Sequence, residues 1–373
     1  MSESIELLKS LIRMPSVNPV YGGSGEAAVQ GFVESWLTEQ GIGYCLQEVS
    51  PGRNNVVARV GPTDKPVLLI EAHMDTVGVA GWAMGDPYTP IEKDGRLYGR
   101  GSCDTKASLA TFLLLARAIA RNPDKARFAL LFAATVDEES RQEGAFKLAE
   151  WIPEMKVEGA LTGEPTRSGI ITKHKGACRY SIAATGKAAH GSTPRLGDNA
   201  IYKMARVVEK LERYGSLMSE EASLPFIERG SLNVGKIEGG IGFNIVPDRC
   251  AIDLDRRLGI GEGMDEAREA IEDIVATEQG TELDIFLERP ALNTDNEHWF
   301  PQALARSAET QGIETRFGEA AFMTNGVAYA EAGVPTVVFG PGDIAQAHKN
   351  DEYIEIGEME RSLAILEGLF LGG

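Results

Sequence analysis

The sequence predicts an α/β protein: a mixed, mainly parallel sheet flanked by helices, interrupted by an inserted α+β domain of ferredoxin-like pattern. Three observations lead there. Pro66–Val77 (P-V-L-L-I-E-A-H-M-D-T-V) opens on a continuous run of four apolar residues, and Ala126–Val136, Val157–Thr162 and Pro335–Phe339 read as further strands. Strands buried on both faces, as in parallel sheets, read this way. Segments with helical apolar spacing lie between them. At Lys175 the texture changes to alternating, half-exposed strands in the order β-α-β-β-α-β. The expected division is 1–174 and 291–373 for the first domain and 175–290 for the inserted one.

Taken in order, residues 4–14 and 24–40 carry helical spacing. In the second, Val29, Phe32, Val33, Trp36 and Leu37 share a face, and Gly41 ends it as a C-terminal glycine should. Val56–Val60 reads as a short strand and Pro66–Val77 as the central buried one. A turn-rich loop follows, then a strongly apolar helix from Lys106 to Ala120. After the Ala126–Val136 and Val157–Thr162 strands, the inserted domain is expected to hold helices over Asn199–Tyr214 and Met264–Glu278 between its strands. A helix over Gln302–Gln311, the Pro335–Phe339 strand and a last helix from about Glu358 to Phe370 return to the first domain.

The bulk numbers exclude several function classes. With 373 residues, more than one core is expected. Apolar content of 43% and charged content of 25% are ordinary for a globular protein, and no apolar run is long enough to span a bilayer. A net charge of −18 argues against nucleic-acid or anionic-membrane partners. The first residues are amphipathic and begin acidic, unlike a signal peptide, so a cytoplasmic location is expected. The four cysteines form no C-x-x-C pair and read as free thiols.

The chemistry-bearing residues gather where buried strands end. His73 and Asp75 point to one face at the carboxyl end of the central strand, where ligands collect in open α/β sheets. Such a pair either binds and orients a metal or closes a loop through its own hydrogen bond. Asp137, Glu138 and Glu139 follow the next strand; they are a solvated acidic loop or a site whose mutual repulsion a cation relieves. Glu164 follows the third. Asp104 precedes the Lys106 helix, as a cap or as a ligand. His348 follows the last strand. Two zinc ions sharing a bridging carboxylate use ligands of these types. Two metals roughly 3.5–4 Å apart hold a hydroxide and polarise a carbonyl, with one unliganded carboxylate as general base. A G-x-G-x-x-A match at Gly340–Ala345 lacks the chain needed for a dinucleotide unit, and H-E-x-x-H, G-x-S-x-G and P-loop patterns are absent.

In order, H-M-D-T-V, G-R-G-S-C-D-T-K, D-E-E-S, G-E-P-T, A-A-H-G-S-T-P and G-P-G followed by A-H resemble the M20 metallopeptidase/deacylase family. That family includes acetylornithine deacetylase, succinyl-diaminopimelate desuccinylase and carboxypeptidase G2. The resemblance spans almost the whole chain and implies a zinc-peptidase-like catalytic domain with an inserted dimerisation (lid) domain. It also implies two zinc ions per subunit, with Co²⁺ or Mn²⁺ as substitutes. By that resemblance His73, Asp104 and Glu164 hold one ion, Asp104 bridges, and Glu139 and His348 complete the second site. Glu138 matches the general base and Asp75 the carboxylate behind His73. His190 matches a lid histidine that stabilises the oxyanion in the partner subunit's site. Asn244 and Arg257 match lid positions that hold the substrate carboxylate, with Arg256 the alternative to Arg257.

Other readings of these last three are a turn residue for Asn244, a surface ion pair for Arg257 and a solvated loop histidine for His190. His174 and His298 are assigned to structure or surface, and Cys103 is given no metal role. The T-K-H-K-G-A and G-P-G-D-I-A-Q-A-H-K-N-D-E-Y-I-E segments look most like the acetylornithine-deacetylase branch. Asn325, in F-M-T-N-G-V-A, stands where that branch places an acid, which bears on recognition of a distal ammonium. The activity implied is hydrolysis of an N-acyl amino acid by a homodimer. A desuccinylase, dipeptidase or carboxypeptidase is the alternative within the class, and a zinc-dependent binding protein without turnover the alternative outside it.

Overall fold

The computed structural model describes residues 2–220 and 224–372 and divides into two compact units. One comprises Met1–Thr172, Thr294–Gly318 and Thr324–Gly373, the other Lys173–Asn293 and Glu319–Met323.

In the first unit the main sheet runs in the order Cys45–Ser50, Arg53–Val60, Ala129–Thr135, Val67–His73, Val157–Thr162, Thr336–Val338, Ile170–His174. Its central strands are parallel: Val67–His73 pairs with Ala129–Thr135 on one side and Val157–Thr162 on the other, and Thr336–Val338 extends the parallel set. Antiparallel pairs close both edges, where Arg53–Val60 joins Ala129–Thr135 and Val338 joins Ile171. The period-two alternation of a strand divides the core. Leu68, Ile70 and Ala72 pack in the cluster that holds the Lys106–Arg121 and Glu358–Leu371 helices. Val67 and Leu69 pack with Ala145, Leu148, Ala328 and Tyr329 on the other face. Each fully buried Leu or Ile stabilises by roughly 1.5–3 kcal/mol, so the strands are apolar because both faces are covered.

The sequence reading missed several short elements. Cys45–Ser50 forms a hairpin with Arg53–Val60, hidden because C-L-Q-E-V-S alternates only weakly. Ile91–Lys93, Arg96–Tyr98 and Tyr353–Glu355 make a small separate sheet. It carries the chain near Arg100 and Glu352, and so bears on the site below. The helix expected at Gln302 begins at Trp299, because Pro301 sits in the first turn, where its missing N–H needs no partner.

The second unit has four antiparallel strands in the order Ser231–Gly239, Arg249–Leu258, Gly176–Thr185, Thr281–Arg289. The first strand in sequence lies between the third and fourth, which is the ferredoxin-like arrangement expected from β-α-β-β-α-β. Cys178, Tyr180, Ile182 and Ala184 alternate inward from the central strand onto Met204, Val207, Leu211 and Ile271 of the helices Ala200–Glu220 and Met264–Ala276. Among the described residues no helix is long and apolar enough to cross a membrane.

Candidate metal centre

The parallel register brings three strand ends level. His73 stands opposite Thr135, and Glu71 opposite Thr162, so the residues just beyond these ends share one edge of the sheet. The strand after Val157–Thr162, Thr336–Val338, aligns Val338 with Thr162 and leads to His348. Gly340 lets this return pass close by, since a Cβ there would lie 2.5 Å from the Ser108 hydroxyl and 2.7 Å from the Glu164 carbonyl.

At that edge two groups of potential ligands form: His73, Asp104 and Glu164, and Asp104, Glu139 and His348. Within each group the ligand atoms lie within 4.8 Å of one another. Asp104 belongs to both. Its Oδ1 is 3.1 Å from His73 Nε2 and its Oδ2 is 3.3 Å from His348 Nε2. Glu164 Oε1 is 3.8 Å from His73 Nε2, and Glu139 Oε2 is 3.2 Å from His348 Nε2. Asp104 is not the helix cap: Thr105 occupies that position, and no side chain caps the helix.

The orientation of His73 follows from its other nitrogen. Nδ1 lies 2.9 Å from the Asp75 carbonyl, which can only accept, so Nδ1 carries the proton and Nε2 presents its lone pair to the cluster. The Asp75 carboxylate is farther, at 3.6 Å. It is held by Asn18 Nδ2 at 2.8 Å and by the backbone N–H groups of Glu138 and Glu139 at 3.1 and 3.0 Å. Asp75 therefore also fixes the loop that carries those two glutamates.

The electrostatics are those of a carboxylate cluster short of positive charge. Burial raises the Glu164 and Glu139 carboxyls, and repulsion from Asp104 adds to it. Burial pushes Glu138 up to about 8; His73 opposes this, while Glu139 and Asp104 reinforce it. Burial also acts to raise Asp104, but hydrogen bonds from His348 and His73 outweigh it and hold this carboxyl below its usual range. Hydrogen bonds to Asp104 and Glu139 push His348 up to about 11. Among the described residues Glu139 Oε1 is buried with no hydrogen-bond partner. Oxygen-rich donors, a shared carboxylate and an orphaned buried oxygen all suit divalent cations, so the donor set fits a dinuclear metal site.

The remaining residues that the sequence singled out lie outside the two ligand groups. Asp137 faces Arg53 Nη1 at 3.0 Å and Asn18 Nδ2 at 3.1 Å and joins neither ligand group. Glu138 accepts from Gln142 Nε2 at 3.2 Å and is likewise in neither, which leaves a carboxylate beside the ligands. His190, Asn244 and Arg257 belong to the second unit. His190 is exposed, with Nδ1 2.7 Å from the Ser192 hydroxyl, and Asn244 is exposed. Arg257 Nε donates to Asp255 Oδ2 at 3.0 Å, whereas Arg256 is almost fully buried and paired with Glu262. His174 is buried against the Lys175 carbonyl, and His298 accepts from Phe300 N at its helix start. Asn325 is buried, its Nδ2 donating to Glu71 Oε1 at 2.9 Å. Cys103 joins neither group.

Sequence reasoning missed Glu352. Fully buried, it accepts from Arg100 Nη1 at 2.7 Å and from the N–H groups of Gly101, Cys103 and Asp104 at 3.0, 2.8 and 3.0 Å. It thus grips the turn that presents Asp104. The only sequence signal was an acid a few residues after His348 in H-K-N-D-E-Y.

A parallel-sheet edge that gathers two histidines and several carboxylates around one shared aspartate is the donor set a metal-dependent hydrolase needs. The family model for peptidase family M20/M25/M40 matches residues 69–371, and the chain belongs to that family. It is 31% identical to an acetylornithine deacetylase of Vibrio campbellii over 98% of this chain and 96% of that protein. Its fold is similar to an M20 metallo-carboxypeptidase of Sulfolobus solfataricus, with a TM-score of 0.83 at 18% identity, covering 99% and 98% of the two chains. It is also similar to a Bacillus subtilis protein described as a dinuclear metal-binding M20 peptidase, with a TM-score of 0.70 at 17% identity, covering 98% and 96%.

Proposed function

We propose that this M20 hydrolase cleaves the amide bond of an N-acyl amino acid, releasing a carboxylate and a free amino acid, with two zinc ions per subunit and Co²⁺ or Mn²⁺ as substitutes. The observation that carries the reading is Asp104, whose two oxygens face His73 and His348 separately. In it, His73 and Glu164 hold one ion with Asp104, and Glu139 and His348 hold the other. When bound, the cations supply positive charge that lowers the pKa of water and of Glu138 and polarises the substrate carbonyl.

Every other part falls to the chain. Asp75 and its own carbonyl hold the tautomer and aim of His73. Glu138, tethered by Gln142, takes the proton of the attacking water and returns it to the leaving nitrogen. Asn244 and Arg257 hold the substrate carboxylate, and His190 from a partner subunit meets the oxyanion. A homodimer through the inserted unit is supported by the exposed apolar side chains Leu196, Tyr202, Ile237, Ile241 and Phe243 there. A cytoplasmic location is supported by four free cysteines. A panel of N-acetyl, N-succinyl and dipeptide substrates with each metal tests the reading, and preferential cleavage of dipeptides would move it to a dipeptidase or carboxypeptidase. Glu138→Gln should lower kcat by about 10²–10⁴-fold with metal retained, and an unchanged kcat removes Glu138 from the reaction.

A further inference from the structure

The loop that carries Glu138 and Glu139 ends on a residue that breaks several local preferences. The loop spans 137–142, and the Gln142 N–H closes it by donating to the Asp137 carbonyl at 2.7 Å. Gln142 has φ 61° and ψ 25°, the left-handed region that glycine enters freely and a glutamine does not. It stands at the N-cap of the helix Glu143–Ala149, yet its side chain caps nothing. Short polar side chains are the usual occupants there, because they reach the first free N–H groups. Among the described residues Gln142 Oε1 is buried with no hydrogen-bond partner. The residue is fully buried, so water relieves none of these costs.

Packing around the loop fixes the turn. Asn55 Nδ2 donates to the Gly144 carbonyl at 2.8 Å, and a Cβ on Gly144 would lie 2.3 Å from the Val136 carbonyl oxygen. The helix start is thus pressed onto the chain just past the Ala129–Thr135 strand, and the backbone turns sharply at 142 to reach it. A glycine would make that turn without steric cost. What the glutamine adds is a contact: its Nε2 donates to Glu138 Oε1 at 3.2 Å. Among the described residues no other hydrogen bond reaches the Glu138 carboxylate. Local rules broken at one buried residue, beside a group that the reaction uses, point to a role for its side chain.

We propose that Gln142 is a positioning residue, whose amide pins one oxygen of Glu138 and so keeps the other aimed at the attacking water. The proposal rests on the reading of Glu138 as general base. A glutamate turns about several single bonds, so without the pin its carboxylate spreads over more rotamers. A base must lie within hydrogen-bond reach of the proton it takes, and a displacement of about 1 Å costs up to about 10²-fold in rate. The unpartnered Oε1 follows from the same assignment. A carboxylate accepts, so it draws the NH2 end of the amide toward itself and turns the carbonyl end away.

Gln142→Met keeps the length of the side chain and removes the donor. In the zinc-loaded protein it should lower kcat about 10–100-fold on the fastest substrate of the N-acetyl, N-succinyl and dipeptide panel, with KM and zinc content unchanged. Gln142→Asn suits the left-handed backbone and keeps an amide, but falls a methylene short of Glu138; it should show the same loss. The double variant Glu138→Gln/Gln142→Met should be no slower than Glu138→Gln alone, because the effect runs through Glu138. Crystals of zinc-loaded Gln142→Met should show Glu138 in more than one rotamer with the metal ligands unmoved, a readout independent of turnover. If Gln142→Met does not fold, Gln142→Asn carries both the kinetic and the crystallographic test. Wild-type kcat in Gln142→Asn overturns the proposal, since the backbone turn alone would then suffice. So does a double variant that multiplies the two losses, or a Glu138 carboxylate that keeps its place in the variant crystals. An unchanged kcat in Glu138→Gln is the separate failure of the base assignment, and it removes this role as well.

Discussion

Replacing Glu352 by alanine tests how the turn bearing Asp104 is held. Glu352 and Arg100 are almost completely buried, 0% and 1% exposed, and lie 2.7 Å apart. Burial raises the Glu352 carboxyl despite Arg100 beside it, so desolvation outweighs the attraction of the pair. A buried pair gains little over apolar side chains of the same volume, but breaking it is expensive. Glu352→Ala leaves a guanidinium buried without its acid and strips three backbone N–H groups of their acceptor. Removing one partner of a buried pair costs about 3–5 kcal/mol. Neither group meets solvent, so water does not screen the charge left behind. Urea unfolding of wild type and variant should show this loss as a lower midpoint at similar slope. The double variant Arg100→Met/Glu352→Met should recover much of it, because no lone charge then remains. A loss below about 1 kcal/mol for the single variant, or no recovery in the double, would refute the reasoning.

Two further outcomes follow from buried groups. Lys106 donates to the Leu11 and Met14 carbonyls at 3.1 and 2.7 Å, and burial pushes its ammonium down to about 7. Between pH 7 and roughly 10.4 the unfolded chain then binds more protons than the folded one, so stability should rise with pH across that window. Lys106→Met should flatten this slope in melts taken from pH 7 to 10; an unchanged slope would assign the ammonium its ordinary value. Asn325→Asp sets a second acid against Glu71, whose carboxyl burial already raises. Raised acids keep protons in the fold that the unfolded chain loses above its own pKa. The variant should therefore be destabilised by about 1–3 kcal/mol at pH 7, with the deficit shrinking as pH falls toward 4; equal stability at pH 7 contradicts it.

Much of the fold was legible because burial on both faces writes itself into the sequence as short, mostly apolar runs. Val67–His73, Ala129–Thr135 and Val157–Thr162 lie side by side and parallel, as those runs implied. The β-α-β-β-α-β texture likewise led to the four-stranded antiparallel sheet of the second unit. Short edge pieces such as Arg96–Tyr98 and Tyr353–Glu355 were not legible. Three residues leave no measurable period, and their pairing is fixed by partners distant in sequence. In the candidate site, residues just past strand ends were visible, since register alone brings His73, Glu139 and Glu164 to one edge. The supports were not. Glu352 and Asn18 act through hydrogen bonds to backbone and side chains that no spacing rule foretells. Asp137 lies in the same D-E-E run but in neither ligand group, and its carboxylate turns to Arg53.

The central claim is tested most directly by counting and locating cations. Crystals grown with zinc and measured at the zinc edge should give two anomalous peaks per chain, one bounded by His73, Asp104 and Glu164 and one by Asp104, Glu139 and His348. A single peak away from Asp104, or none near either histidine, would contradict the account.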